Sequence, residues 1–235
     1  MTKPTRDAKN ILQLKGFDDI LVKNLQCIGS AYLMASTHGV DMAIKSQNLC
    51  PESLDDSGKL WWPESGLWVD FDQLESIYAI EKSIHGAGAI ECDFQRMPQG
   101  FTIAYVLENY RADLFELITD AHALRKVSVG ELSGERLSKK PAFDCCSCCA
   151  DRAERIRQNT ENHPLYRILS MYSGDQSACR FHIVSEHVDM LCAWNIESVE
   201  CVFGEIFCTG AEQVLRIDAS MIHTCLLYTS PSPRD

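Results

Sequence analysis

Between Cys179 and Ile217 the chain is cut into five short runs of strand-forming residues, each closed by a turn. The runs are Cys179–Val184, Met190–Trp194, Val199–Phe203, Glu205–Cys208 and Val214–Ile217. Connections this short cannot carry a crossover, so neighbouring strands must run antiparallel. The first half reads the same way. Ala31–Ala35 and Val40–Ile44 flank a Thr37-His38-Gly39 turn, and Leu67–Phe71 and Ile77–Ile80 follow. Ala89–Phe94 and Phe101–Leu107 are joined through Met97-Pro98-Gln99-Gly100.

Helical spacing is expected in three places. Residues 6–26 carry Ile11, Leu14, Ile20, Leu21 and Leu25, with Gly16 as a break. Residues 111–124 place Leu114, Leu117, Ile118, Ala121 and Leu124 on one face, and residues 151–172 return to the helical period. Residues 45–66 are acidic and rich in turn formers, which predicts a long surface connection. Trp61 and Trp62 within it form either a partner site or a lid on the sheet. The expected class is α+β: two homologous halves, each a mostly antiparallel sheet flanked by helices, the second half incomplete.

Net charge is -11 with a pI near 5.1. An acidic surface repels phosphate backbones and anionic lipid, which argues against nucleic-acid and membrane-surface partners. No apolar run approaches the roughly 20 residues of a bilayer span. The start, MTKPTRDAKN, leads into an amphipathic stretch rather than a signal core, so a cytoplasmic protein is expected.

Twelve cysteines are many for such a protein. Disulfide frameworks belong to short secreted chains, so reduced thiols used as small hydrophobes are expected. Cys145-Cys146-Ser147-Cys148-Cys149 stands apart. Its Cys-x-x-Cys pairs, Cys145/Cys148 and Cys146/Cys149, match soft-metal or dithiol spacing, but a closed zinc site needs a second pair. A metal-binding or redox-sensing module and an inert linker both remain readings of it. No GxGxxG, phosphate loop or HExxH is present and nothing marks a nucleophile elbow, so no catalytic residue is assigned.

The last residues, Cys225–Asp235 (CLLYTSPSPRD), resemble translated sequencing adapter, and the expectation is that the natural sequence departs after Thr224. The expected organisation is a first repeat over 1–127, a Cys-rich linker over 128–150, a partial second repeat over 151–224 and the adapter-derived tail over 225–235. A faint internal repeat supports it. Leu33-Met34-Ala35 with Val40–Ile44 is set against Leu191-Cys192-Ala193 with Val199–Phe203, and Leu67-Trp68-Val69-Asp70 against Leu215-Arg216-Ile217-Asp218.

This layout resembles the haemin-degrading factor (haemin transport) family, built of two such halves. Ile28-Gly29 sits where the family has Leu-Gly entering its strand. Thr160-Glu161-Asn162-His163-Pro164-Leu165-Tyr166-Arg167-Ile168-Leu169 is similar to the family's Thr-Asp-x-His-Gln-Phe-Phe-x-x-Leu segment. Gln73 stands where the family carries an arginine. The resemblance implies a cytoplasmic protein that binds haem b for trafficking or degradation in iron acquisition, with a haem importer or a reductase as partner. It leaves open whether the chain is a carrier or an oxygenase. It places the axial iron ligand on His163.

Haem binding needs an imidazole, apolar walls and cations for the propionates. His163 with Leu165, Tyr166 and Leu169 supplies the first two, and Arg167 and Arg180 are the propionate candidates by proximity. Glu161 or a backbone carbonyl is expected to accept from the second ring nitrogen of His163. His38, His85, His122, His182, His187 and His223 have weaker claims.

Overall fold

The computed structural model describes residues 11–16, 18–26, 30–37, 39–47, 49, 51–53, 59–71, 74–81, 88–94, 100–105, 112–127, 147–175, 177–202 and 204–219. The chain is α+β, as its strand and helix patterns imply. Strand β1 (Ile11–Leu14) and helix α1 (Asp19–Gln26) stand where helical spacing broken at Gly16 was expected over 6–26, so only the part after the break is helical. Ile11 and Leu14, three apart, mimic a helical step but are the buried ends of a four-residue strand. Asp18 starts α1 in earnest, its Oδ1 accepting from the N–H groups of Ile20 and Leu21.

The hairpin β2 (Ala31–Thr37) and β3 (Val40–Ser46) follows, its faces alternating buried and half-buried. The described residues of 45–66 are not a surface connection. They contribute β4 (Glu52–Ser53), β5 (Lys59–Trp62) and a 3-10 turn, Pro63–Ser65, before β6 (Leu67–Asp70). Trp61 and Trp62 are members of the sheet rather than a lid over it. Trp62 is 1% exposed and donates Nε1–H to the Leu49 carbonyl. Burial of a tryptophan with its one donor satisfied outweighs the polarity of its neighbours.

Next come β7 (Leu74–Ile80), β8 (Gly88–Phe94), β9 (Gly100–Tyr105), helix α2 (Ala112–His122) and β10 (Ala123–Val127). Leu124, expected on the helix, lies on β10 and is exposed. The second half opens with α3 (Ser147–Glu161) and α4 (Pro164–Tyr172), two helices where one was expected over 151–172. The end of the expected linker, from Ser147 to Ala150, is already helical. Five strands complete the described chain: β11 (Cys179–Val184), β12 (Val188–Trp194), β13 (Ser198–Val202), β14 (Glu205–Thr209) and β15 (Gln213–Asp218).

Among the described residues all strand pairs are antiparallel, and the strands form two sheets. The first runs β10-β1-β7-β8-β9-β2-β3-β15-β14-β13 and the second β11-β12-β6-β5-β4. The halves are therefore interlocked. The β13–β15 meander of the second half extends the hairpin of the first through β3, and the β4–β6 meander of the first extends the hairpin of the second through β12.

The two junctions share one register. Val40, Asp41 and Met42 face Ile217, Arg216 and Leu215, while Val188, Asp189 and Met190 face Val69, Trp68 and Leu67. Asp218 N–H donates to Gly39 O at 2.7 Å and Asp70 N–H to His187 O at 2.8 Å. The repeated unit is thus Val-Asp-Met on β3 and β12 with Leu-x-(Val/Ile)-Asp on β6 and β15. The second match of the sequence reading stands. The first was displaced: β3 corresponds to β12, not to β13.

The two sheets close on one core that draws Leu33, Met42, Leu67, Met190, Ile206 and Leu215 from both halves. Cys192 Sγ lies 3.3 Å from Met42 Sδ across it. The outer faces differ. On the first sheet Arg216 is ion-paired to both Asp41 and Glu205. At the equivalent place on the second sheet stands Trp68, with Lys59 Nζ 5.7 Å from its ring centroid.

Candidate functional site

The junction between α3 and α4 is set by one residue. Pro164 has no N–H to continue α3 and disfavours helical geometry in the residue before it. His163 accordingly adopts φ -64, ψ 133 and becomes the N-cap of α4, with Pro164 in the first turn. Its ring turns toward the new helix, and Leu165 N–H donates to His163 Nδ1 at 3.2 Å. The expected acceptor is therefore absent from that nitrogen: Nδ1 itself accepts. Glu161 is engaged by Arg157, which also holds Glu154 at 2.6 Å.

A neutral imidazole that accepts at Nδ1 carries its hydrogen on Nε2. Binding iron through Nε2 then requires that proton to leave or to move to Nδ1. If it moves to Nδ1, the cap hydrogen bond is lost. Any group bound at Nε2 by a neutral ring would therefore bear on the cap of α4.

The surroundings of His163 are mixed. The residue is half-buried; Leu165 and Tyr166 pack against the core and Leu169 is buried. Arg167 sits one turn into α4, with its N–H on His163 O at 3.2 Å. Its guanidinium donates to Asn162 Oδ1 at 2.7 Å, clamping the helix junction. Arg180 belongs to a different element, exposed on β11 of the second sheet and opposite Ala193. Helix α4 packs instead against β13 of the first sheet.

The other histidines divide by environment. His182 Nε2 lies 2.8 Å from Asp189 Oδ1 on the exposed face, while His187 is buried at the turn. His122, buried at the end of α2, has Nδ1 3.7 Å from Asp18 Oδ1. His38, His85 and His223 lie outside the described residues. Sequence reasoning missed the Asp41–Arg216–Glu205 cluster, because its charges come together only when the halves exchange meanders.

Cys145 and Cys146 also lie outside the described residues, while Cys148 and Cys149 fall in the first turn of α3. Among the described residues no group of three or more His, Cys, Asp or Glu is placed to hold a metal ion. Cys179, Cys192, Cys201 and Cys208 are free thiols.

Burial pushes the Cys192 and Cys208 thiols up to about 12. The thiolate is the reactive form, so alkylation of both at pH 8 is expected to be roughly a thousandfold slower in the folded chain than in urea. Peptide mapping by mass spectrometry checks this; equal rates would show that neither thiol is buried. These thiols hold their protons more tightly folded than unfolded, so their contribution to stability falls as pH rises from about 9 toward about 12.

No protein-family model matches this chain, and no curated protein matches it in sequence. Its fold does match solved structures. The heme-degrading enzyme ChuS of Escherichia coli O157:H7 superposes with a TM-score of 0.64 at 12% identity, over 93% of this chain and 73% of that one. Apo-PhuS, a heme-binding protein from Pseudomonas aeruginosa, gives 0.63 at 10% identity over 93% and 73%. Holo-PhuS gives 0.63 at 9% identity over 92% and 72%. The chain therefore has the fold of these haem-utilisation proteins.

Proposed function

We propose that this chain binds haem b, with His163 Nε2 on the iron and Arg167 and Arg180 as propionate partners, and that it serves haem trafficking or degradation in iron acquisition. The observation that carries the reading is the fold match to ChuS and PhuS over nearly the whole chain. The donor set fits the group: a half-buried imidazole, apolar Leu165 and Tyr166 beside it, and a guanidinium on the same helix end. Bound haem supplies the redox and oxygen chemistry. The chain's own part is to place the imidazole at the start of α4 and to cover the macrocycle's apolar face.

The proposed setting is the cytoplasm, with a haem importer as donor and a reductase where the macrocycle is cleaved. No described helix is long and apolar enough to cross a membrane. A haemin titration followed at the Soret band is expected to saturate at one haem per chain; a folded sample without saturation would sink the reading. Ascorbate and oxygen added to the complex, with catalase present to remove peroxide, then separate the two roles. Release of iron and an open tetrapyrrole identifies a degrading enzyme, whereas an unchanged Soret band identifies a carrier.

A further inference from the structure

The two junctions of the halves match residue for residue, so unlike side chains at matching places mark where the halves differ in use. Asp41 and Asp189 occupy one such place, with side chains 24% and 26% exposed. Opposite Asp41 stands Arg216, which neutralises it. Opposite Asp189 stands Trp68, which carries no charge. His182 Nε2 meets Asp189 Oδ1 at 2.8 Å, and among the described residues no group reaches the other oxygen.

Trp68 belongs to a longer row. Glu52, Trp61, Trp68, Asp189 and Val184 lie opposite one another in turn across β4, β5, β6, β12 and β11. Leu60, Trp62, Leu67 and Val69 take the core side of β5 and β6, so Trp61 and Trp68 alternate to the outward side, where both are half-buried. The row is a pair of indoles with a carboxylate at each end. Lys59 Nζ, 5.7 Å from the Trp68 centroid, is a cation already held near the limit of contact with that ring.

The elements that come next in a half do not cover this face. In the first half they are β7, β8, β9, α2 and β10, and there Met34, Asp41 and Ala43, which match His182, Asp189 and Leu191, still stand half-buried at the surface.

We infer that this face docks an arginine side chain of a partner polypeptide, the guanidinium stacking on Trp68 and pairing with the free oxygen of Asp189. The first sheet supplies the occupant's chemistry, since the same aspartate position is met there by Arg216 from within the chain. A planar guanidinium, unlike an ammonium, lies on an indole while its N–H groups donate in plane to a carboxylate. Its charge also suits the row, with Glu52 exposed at the far end, whereas an anionic ligand is repelled. The inference stands apart from the haem reading, because His163 begins α4, which packs on β13 of the other sheet.

The probe is an end-blocked pentapeptide with one arginine, Gly-Ser-Arg-Ser-Gly, titrated into the full chain and followed at the tryptophan indole N–H resonances. Saturable shifts at Trp61 and Trp68, absent at the buried Trp62 and Trp194, are expected. Lysine and citrulline versions of the peptide should bind at least about threefold more weakly. Asp189→Asn should weaken the arginine peptide about threefold. Trp68→Arg, which copies the arrangement of the first sheet, should abolish binding by filling the place from within the chain. Trp68→Phe keeps a ring on the same strand and should hold binding within about threefold, which separates loss of the site from loss of the fold.

The absence of saturable shifts at Trp61 and Trp68 overturns the inference. Equal binding of the arginine and lysine peptides, or arginine binding unchanged by Asp189→Asn, also overturns it and leaves a general attraction of cations to an acidic chain. Haemin moving the Trp61 and Trp68 resonances where the peptide does not overturns it as well, and assigns the face to the macrocycle.

Discussion

His163→Ala is expected to lose both haem coordination and helix stability, while His163→Asn loses only the first. The separation follows from the two uses of one ring. Nδ1 caps α4 by accepting from Leu165 N–H, and Nε2 is the nitrogen assigned to iron. Asparagine is among the best N-cap residues and carries no imidazole, so it keeps the cap and removes the ligand.

Alanine removes both, at a cost of about 1 kcal/mol in unfolding free energy. In a haemin titration both variants should bind at least about tenfold more weakly, about 1.4 kcal/mol, with a shifted Soret maximum. In urea unfolding only alanine should move the midpoint. Unaltered Soret spectra in both would take the iron ligand away from His163. Equal destabilisation by both would show that the ring does not cap the helix.

How far the sequence carried this reading depends on how local each signal is. The strands from Cys179 onward were legible because each is closed by its own turn and needs no distant partner to be recognised. The helix start at His163 was legible through the Pro164 that follows it. Its capping role also lay in the sequence, since a histidine before Pro164 is held extended at a helix start.

What failed was non-local or ambiguous in period. Ile11 and Leu14 fit a helix by spacing but pair with Val127 and Ala123 as a strand. Lys59–Trp62 looked like loop because the chain around it is acidic and proline-bounded, yet it is fixed by pairing with Leu67–Asp70. The exchange of meanders was out of reach altogether. Nothing in a single strand's pattern says whether its neighbour comes from its own half, and Asp41 meets Arg216 only because the partner is the other half. Val-Asp-Met occurs at 40–42 and again at 188–190, so the right repeat was present, obscured by a looser match nearby.

The exchange makes one glycine decisive. Gly66 turns the chain from Pro63–Ser65 into β6, the strand that crosses to the other half. Its φ is +60, its N–H donates to Pro63 O, and its carbonyl accepts from Leu191 N–H at 2.9 Å. A Cβ built there stands 2.0 Å from Leu191 O, an atom of the β12 backbone that has no side-chain freedom to move away.

Gly66→Ala therefore adds a left-handed penalty to a main-chain collision at the junction of the halves. The expected loss is about 3 kcal/mol or more in unfolding free energy. Gly174→Ala isolates the first part, since Gly174 also has positive φ, at +80, with nothing within 4 Å of the added atom. It should cost about 1 kcal/mol. Urea denaturation of the two variants beside the parent measures the difference. If they fall together, the close approach of β6 and β12 does not hold the halves in register. If Gly66→Ala alone fails, the weakest point of the interlocked fold is a backbone contact rather than its core.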